Sequence, residues 1–352
     1  MMTGFDREQL EELLETAECN LRALELFSSY LHICPRFVKE ADIQSLTQDC
    51  GVDVETAQRL LVSAACGLDP EENARDRVME ERYLRHAIHL LDAKECSRDP
   101  YYQTIRLPEI SRGRWKMGYK TIAAYELFTS DDLRAMPDGR EIPQTGFFTR
   151  DFRAPVVEEN GREWMTVTPS EINTMTADIH AACGKVAVFG LGLGYYAFMA
   201  SEKSEVTEVT VIERDPEVIS LFREFILPQF PHKEKVTVIE ADAYAFAAAM
   251  GDQQYDCAYV DIWHDVLDGV EMYLKMKRLE KSSPGTKFLY WIEPSMLAWL
   301  RGMALMEIAE NTPGPMLAAI GNVNDVAMLK EALKDENLRR IAANIPLEVA
   351  RP

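Results

Sequence analysis

Positive charge is scarce in this 352-residue chain: 38 Lys and Arg stand against 58 Asp and Glu, a formal net charge of −20. A field of that sign repels phosphate backbones and anionic lipid, which argues against a nucleic-acid partner. Long apolar runs are missing too. The longest uncharged stretch, residues 186–201, contains three glycines and falls short of the roughly 18 to 20 apolar residues that cross a bilayer, so no membrane span is expected. The first residues, MMTGFDREQLEELLE, carry acid where a secretory leader needs positive charge followed by an apolar stretch, and a cytoplasmic protein is the expectation. The seven cysteines are odd in number, scattered and without a CxxC pair. They signal neither a disulfide framework nor a zinc knuckle, and read as reduced thiols.

The composition itself, 47% hydrophobic and 27% charged, is that of a folded globular chain, and its length predicts about two domains. Leu10, Leu13, Leu14, Ala17, Leu21 and Leu24 recur at three- and four-residue steps, placing an amphipathic helix over residues 6–30. Helices over 41–49 and 54–65, with Asp53 as N-cap, imitate a helix-turn-helix. The second of these offers a single base, Arg59, and the first hundred residues hold 21 acids and 11 bases. This favours a structural or oligomerising helical domain, hence homo-oligomers through these helices, over a reader of DNA. A further helix over 71–93 carries His86 and His89, read as surface or capping residues rather than metal ligands. Next come a helix near 121–128, a turn at Pro137-Asp138-Gly139, and a hairpin whose strands, 154–157 and 164–167, flank Asn160-Gly161. The resulting division is a helical domain over 1–135, a β-hairpin linker over 136–168 and an α/β domain over 169–352.

From Ser170 onward helices and short apolar strands alternate: helix 170–182, strand 185–189, helix 195–201, strand 208–212, helix 216–226, strand 235–239, helix 243–250, strand 256–260, helix 267–279 and strand 286–292. Residues beyond 295 read as helical. Such alternation predicts an α/β fold with a doubly wound, mostly parallel, Rossmann-like sheet. Ligands of such sheets bind beyond the carboxyl ends of the strands. There the chain places Gly190, Gly192 and Gly194 after the first strand, Glu213 and Asp215 after the second, Asp242 and Ala243 after the third, and Asp261, His264 and Asp265 after the fourth.

The glycines run GxGxG, with Tyr195 where the dinucleotide fingerprint GxGxxG wants its third glycine, which disfavours NAD and FAD. Glu213 can accept two hydrogen bonds from ribose hydroxyls, Asp215 before Pro216 also suits a helix N-cap, and Asp242 can cap a helix or accept from an adenine amino group. Asp261, leaving an apolar strand, should face the cleft. Tyr195 and Trp263 are candidates for core packing or for the cleft wall.

The ordered set Gly190–Gly194, Ile212–Asp215, Asp242-Ala243 and Tyr255-Asp256 to Asp261 resembles the S-adenosylmethionine-dependent methyltransferase superfamily, and within it the spermidine synthase branch, over roughly residues 161–293. The resemblance implies a nucleoside held by Glu213 at the ribose and Asp242 at the adenine, with residues 168–175 in the substrate-side segment. Three departures stand out. Leu193 replaces the aspartate that holds the aminopropyl donor's amine, His264 replaces the second acid of D-x-x-D with Asp265 one residue later, and Trp164 and Ile172-Asn173-Thr174 replace the usual Gln and Tyr-His.

The resemblance therefore implies a transferase using S-adenosylmethionine, most simply a methyltransferase acting on a small-molecule or peptidic nucleophile. Asp261 and His264 are the candidate acceptor-orienting group and base. The alternatives are an aminopropyltransferase using decarboxylated S-adenosylmethionine with Asp265 as a shifted base, and a non-catalytic nucleoside-binding or interaction protein.

Overall fold

The computed structural model describes residues 6–312 and 314–347. The first helix, Arg7–Ile33, starts where the Asp6 carboxylate accepts from the backbone N–H of Glu8 and Gln9 at 3.0 and 3.2 Å. Glu40–Cys50 ends on Gly51 in the left-handed region, and Asp53 caps Val54–Ala65 by accepting from Thr56 N–H at 2.7 Å. Their apolar faces, with Ala23, Phe27, Ile43, Ala57 and Val62, form a separate core that also takes in Tyr83 and Phe147. Asn20, inside the first helix, ties it down: its amide donates to Gly139 O at 3.1 Å, while its carbonyl oxygen accepts from Tyr83 Oη at 2.8 Å and Glu141 N at 3.0 Å.

Two expectations fail in the following stretch. The helix expected over 71–93 stops at Ala87, after a π-helical segment Glu80–Leu84, and the chain continues as strand β1, Ile88–Leu90. Buried Ile88 joins a sheet edge there and Leu90 N–H donates to Glu55 at 2.8 Å, so tertiary pairing overrides the helical pattern. Nor is there a helix near 121–128. The chain forms β2 (Ile110–Arg112), β3 (Trp115–Ile122), β4 (Phe128–Ala135), β5 (Glu141–Phe147), β6 (Phe152–Glu159) and β7 (Arg162–Thr166). Tyr125 turns between β3 and β4 with φ 63°, held by its N–H donating to Phe148 O at 2.7 Å. The helical character expected across 1–135 thus ends at Thr104, and the strands that follow lie in two small sheets, β1-β5-β4 and β2-β3-β6-β7. The expected hairpin is present, with Asn160 and Gly161 at φ 52° and 79°, as the edge of the four-stranded sheet rather than as an isolated linker.

The second half follows the expected alternation. Strands β8 (Gly184–Phe189), β9 (Val206–Glu213), β10 (Val236–Glu240), β11 (Cys257–Val260) and β12 (Lys287–Tyr290) form one parallel sheet in the order β10-β9-β8-β11-β12. Successive side chains point to opposite faces, and both faces are buried. Val186, Val188, Val209 and Tyr259 meet helices Pro169–Ala181 and Tyr195–Glu202, whereas Ala187, Phe189, Ile212 and Val260 meet Val266–Glu280 and Glu293–Ala309. The chain order reverses between β8 and β11, which makes their carboxyl ends the switch point of a doubly wound sheet. Among the described residues no helix is long and apolar enough to cross a membrane.

Candidate active site

At the end of β8 the backbone turns through three left-handed glycines, Gly190, Gly192 and Gly194, with φ 96°, 49° and 74°. Each has a distinct steric reason to lack a side chain. A Cβ on Gly190 would collide with the carbonyl oxygen of Asp261, one on Gly192 with the Met165 sulfur, and one on Gly194 with the Phe222 ring. Gly190 and Gly192 line the cavity beyond the sheet, while Gly194 lies behind it and starts the helix Tyr195–Glu202.

The cavity encloses about 340 Å³ and is walled by the ends of β8, β9, β10 and β11, the hairpin strand β7 and the first turn of helix Pro169–Ala181. That volume lies in the range of small-molecule sites. Glu213 reaches it from the end of β9, with one carboxylate oxygen accepting from Leu191 N–H at 3.1 Å and the other from Asp215 N–H at 2.8 Å. It therefore also braces the glycine turn, a role not visible in its sequence context, and keeps acceptor capacity for a ligand because each oxygen has a second lone pair. Asp242 caps helix Ala243–Ala249 through Ala245 N–H at 2.9 Å with Oδ1, leaving Oδ2 without a partner among the described residues, and Ala243 is part of the wall.

Two of the expected site carboxylates lie outside the cavity lining. Asp215 caps helix Pro216–Leu221 through Glu217 and Val218 N–H at 2.8 and 3.2 Å and pairs with Arg114. Asp265 caps Val266–Glu280 through Leu267 and Asp268 N–H, and its own N–H donates to Asp268. Both capping bonds fall on Oδ1, and Asp265 is exposed beyond the cavity lining, which sets it apart from the shifted base considered above. Tyr195 is also away from the wall, buried with its hydroxyl donating to Asp99 at 2.9 Å, whereas Trp263 does line the cavity.

Asp261 follows β11, its N–H donating to Phe189 O at 2.8 Å, and its carboxyl lines the cavity without a hydrogen-bond partner among the described residues. Burial pushes this carboxyl up to about 7. Facing it is Glu171, from helix Pro169–Ala181, whose carboxyl likewise has no hydrogen-bond partner among the described residues. Burial pushes Glu171 well above the usual carboxylate range, and the negative charges of Asp261 and Glu163 add to the effect. No motif marked Glu171: it lies before the first strand of the sheet, within the segment identified only as substrate-side. His264 is exposed at the rim, its ring edge-on to Trp164 at 4.9 Å. Met165, also unmarked, lies on the glycine turn and accepts from Leu193 N–H at 3.1 Å. Trp164, Tyr244 and Trp291 supply further aromatic wall.

These features fit an adenosyl group: a glycine-turned cradle, free carboxylate acceptor sites at Glu213 and Asp242, and an acidic lining suited to a cationic centre. They define a Rossmann-like α/β chain with an acidic cavity at its switch point. No family model and no curated protein matches the chain. Among solved structures it is similar to spermidine synthase from Thermotoga maritima (13% identity, TM-score 0.31, covering 43% of this chain and 60% of that one). It is also similar to a putative O-methyltransferase from Klebsiella pneumoniae (15%, 0.27, 40% and 67%) and to MNMC2 from Aquifex aeolicus (15%, 0.29, 50% and 64%). The match thus spans less than two thirds of the length of the first and third of these, and the fold assignment rests on the strand order.

Proposed function

We propose that the chain is an S-adenosylmethionine-dependent transferase, most simply a methyltransferase acting on a small-molecule or peptidic nucleophile. One observation carries this reading: the glycine turn, Glu213, Asp242 and Asp261 border a single cavity at the switch point. When bound, the donor supplies an already activated sulfonium carbon, so the protein's work is alignment, exclusion of water and proton management. Glu213 accepts from the ribose hydroxyls while holding the glycine turn, and Oδ2 of Asp242 accepts from the adenine amino group. Gly190 and Gly192 let the backbone approach closely. Trp164, Trp263 and Trp291 wall the site. The roles expected from the sequence are exchanged, so that Asp261, within the cavity, takes the proton of the incoming nucleophile and His264, exposed at the rim, orients the acceptor.

Aminopropyl transfer from the decarboxylated donor is the second reading, favoured by Glu163, Glu171 and Asp261 lining one side of the cavity. Those carboxyls suit a donor without a carboxylate and a cationic acceptor. Calorimetric titration with S-adenosylmethionine, its decarboxylated form and NAD separates the possibilities. The methyltransferase reading expects the intact donor to bind tightest. Preference for the decarboxylated donor moves the assignment to aminopropyl transfer, and binding of NAD alone overturns both.

A further inference from the structure

At the opposite, amino-terminal end of the sheet, two of the seven cysteines meet. Cys183 lies in the short link between helix Pro169–Ala181 and β8, and Cys257 is the first residue of β11. Their sulfurs are 3.9 Å apart. A disulfide needs about 2 Å, so closure requires the two side chains to rotate toward each other. Cys183 is exposed and Cys257 buried, which divides the pair into an accessible attacking thiol and an enclosed resolving one. Burial pushes the Cys257 thiol up, opposed first by the Cys183 backbone N–H and then by the positive charge of Lys287, which pairs with it across the strands.

We propose that Cys183 and Cys257 are a redox-active dithiol that closes into a disulfide when a small disulfide oxidant reaches Cys183. With oxidised glutathione, the Cys183 thiolate attacks one sulfur and releases the first glutathione thiolate. The Cys257 thiolate then displaces the second. Two protein thiols are oxidised, one glutathione disulfide is reduced to two thiols, and the two protons lost by the cysteines end on the released glutathione.

The position of the pair gives the bond a consequence. It would join the carboxyl end of helix Pro169–Ala181 to the start of β11, and the far ends of these same two elements carry Glu171 and Asp261. Glu171 stands about 15 Å along the helix from its carboxyl end, and Asp261 about 13 Å along the strand direction from Cys257. Oxidation therefore fixes the base of a two-armed frame whose tips line the cavity. The bond would also close a chain segment holding β8, β9 and β10, a long loop whose constraint restricts the unfolded chain.

The test treats the full-length protein with oxidised glutathione and counts thiols after denaturation, with peptide mass spectrometry to locate any bond. The expected result is loss of two thiols, a single Cys183–Cys257 cross-link, reversal by dithiothreitol, and a rise of several degrees in thermal midpoint. Cys183→Ser should remove both the cross-link and the rise, and Cys257→Ala should trap glutathione on Cys183 as a stable mixed disulfide. Retention of all seven thiols, a different pairing, or an equal thermal shift in Cys183→Ser would overturn the proposal. None of these readouts depends on which ligand the cavity binds.

Discussion

The two sides of the cavity use carboxylates in opposite ways. On the β9–β10 side, Glu213 and Asp242 are anchored by backbone N–H groups, so their orientation is set before any ligand arrives. On the β11 side, Asp261 and Glu171 have no such anchors among the described residues and are acids held above their ordinary range by burial. The anchored pair suits recognition, because pre-oriented acceptors cost little to use. The unanchored side suits chemistry, because a carboxyl poised near neutrality, as Asp261 is, can exchange a proton.

The largest effect should come from breaking the turn both sides share. Gly190→Ala places a Cβ against the Asp261 carbonyl, where backbone rather than a flexible side chain must yield. Loss of several kcal/mol of stability together with ligand binding is expected in denaturant unfolding and calorimetry.

Asp261→Asn sharpens the contrast from the reactive side. Turnover should fall roughly 10²- to 10⁴-fold, well beyond any accompanying loss of donor affinity. In the wild type, kcat/KM should rise as pH passes through about 7, where the Asp261 carboxyl loses its proton. Stability should show the opposite slope. Between about pH 4 and 7 the unfolded chain ionises this group while the folded protein keeps it protonated, so folding weakens as pH rises through that window and then levels off. The Asn variant should escape this and be more stable than wild type at pH 8, by on the order of 3 kcal/mol, with no advantage below pH 4. Thermal melts across pH check both limits.

Glu213→Gln probes the anchored side, and nucleoside affinity should drop by roughly 1 to 3 kcal/mol with an unchanged pH dependence of turnover. Asp265→Ala should have the smallest effect, about 1 kcal/mol of stability from the lost cap and no change in ligand affinity. A large loss of turnover in that variant would return Asp265 to the chemistry.

The same division explains what could be read from the sequence. The parallel sheet was legible because each strand is a short apolar run followed by a helix, and its carboxyl ends directed attention to Gly190, Glu213, Asp242 and Asp261. Asp265 could have been recognised as structural, since Asp268 three residues later completes a reciprocal cap. Asp215 already stood before a proline. Glu171 and Met165 were hidden because they come from the helix and hairpin preceding the sheet, and only folding brings them over the glycine turn. In the amino-terminal half, β1 and β3 escaped notice because Ile88–Leu90 and Trp115–Ile122 become strands by pairing with β5 and β6, partners remote in sequence.

The central claim is that this rim holds an adenosyl sulfonium, and a crystal structure with S-adenosylhomocysteine tests it most directly. The account predicts ribose hydroxyls on Glu213, the adenine amino group on Asp242 and the sulfur facing Asp261 and Glu171. A ligand seated elsewhere, or in the cavity without contact to Glu213 and Asp242, would contradict it.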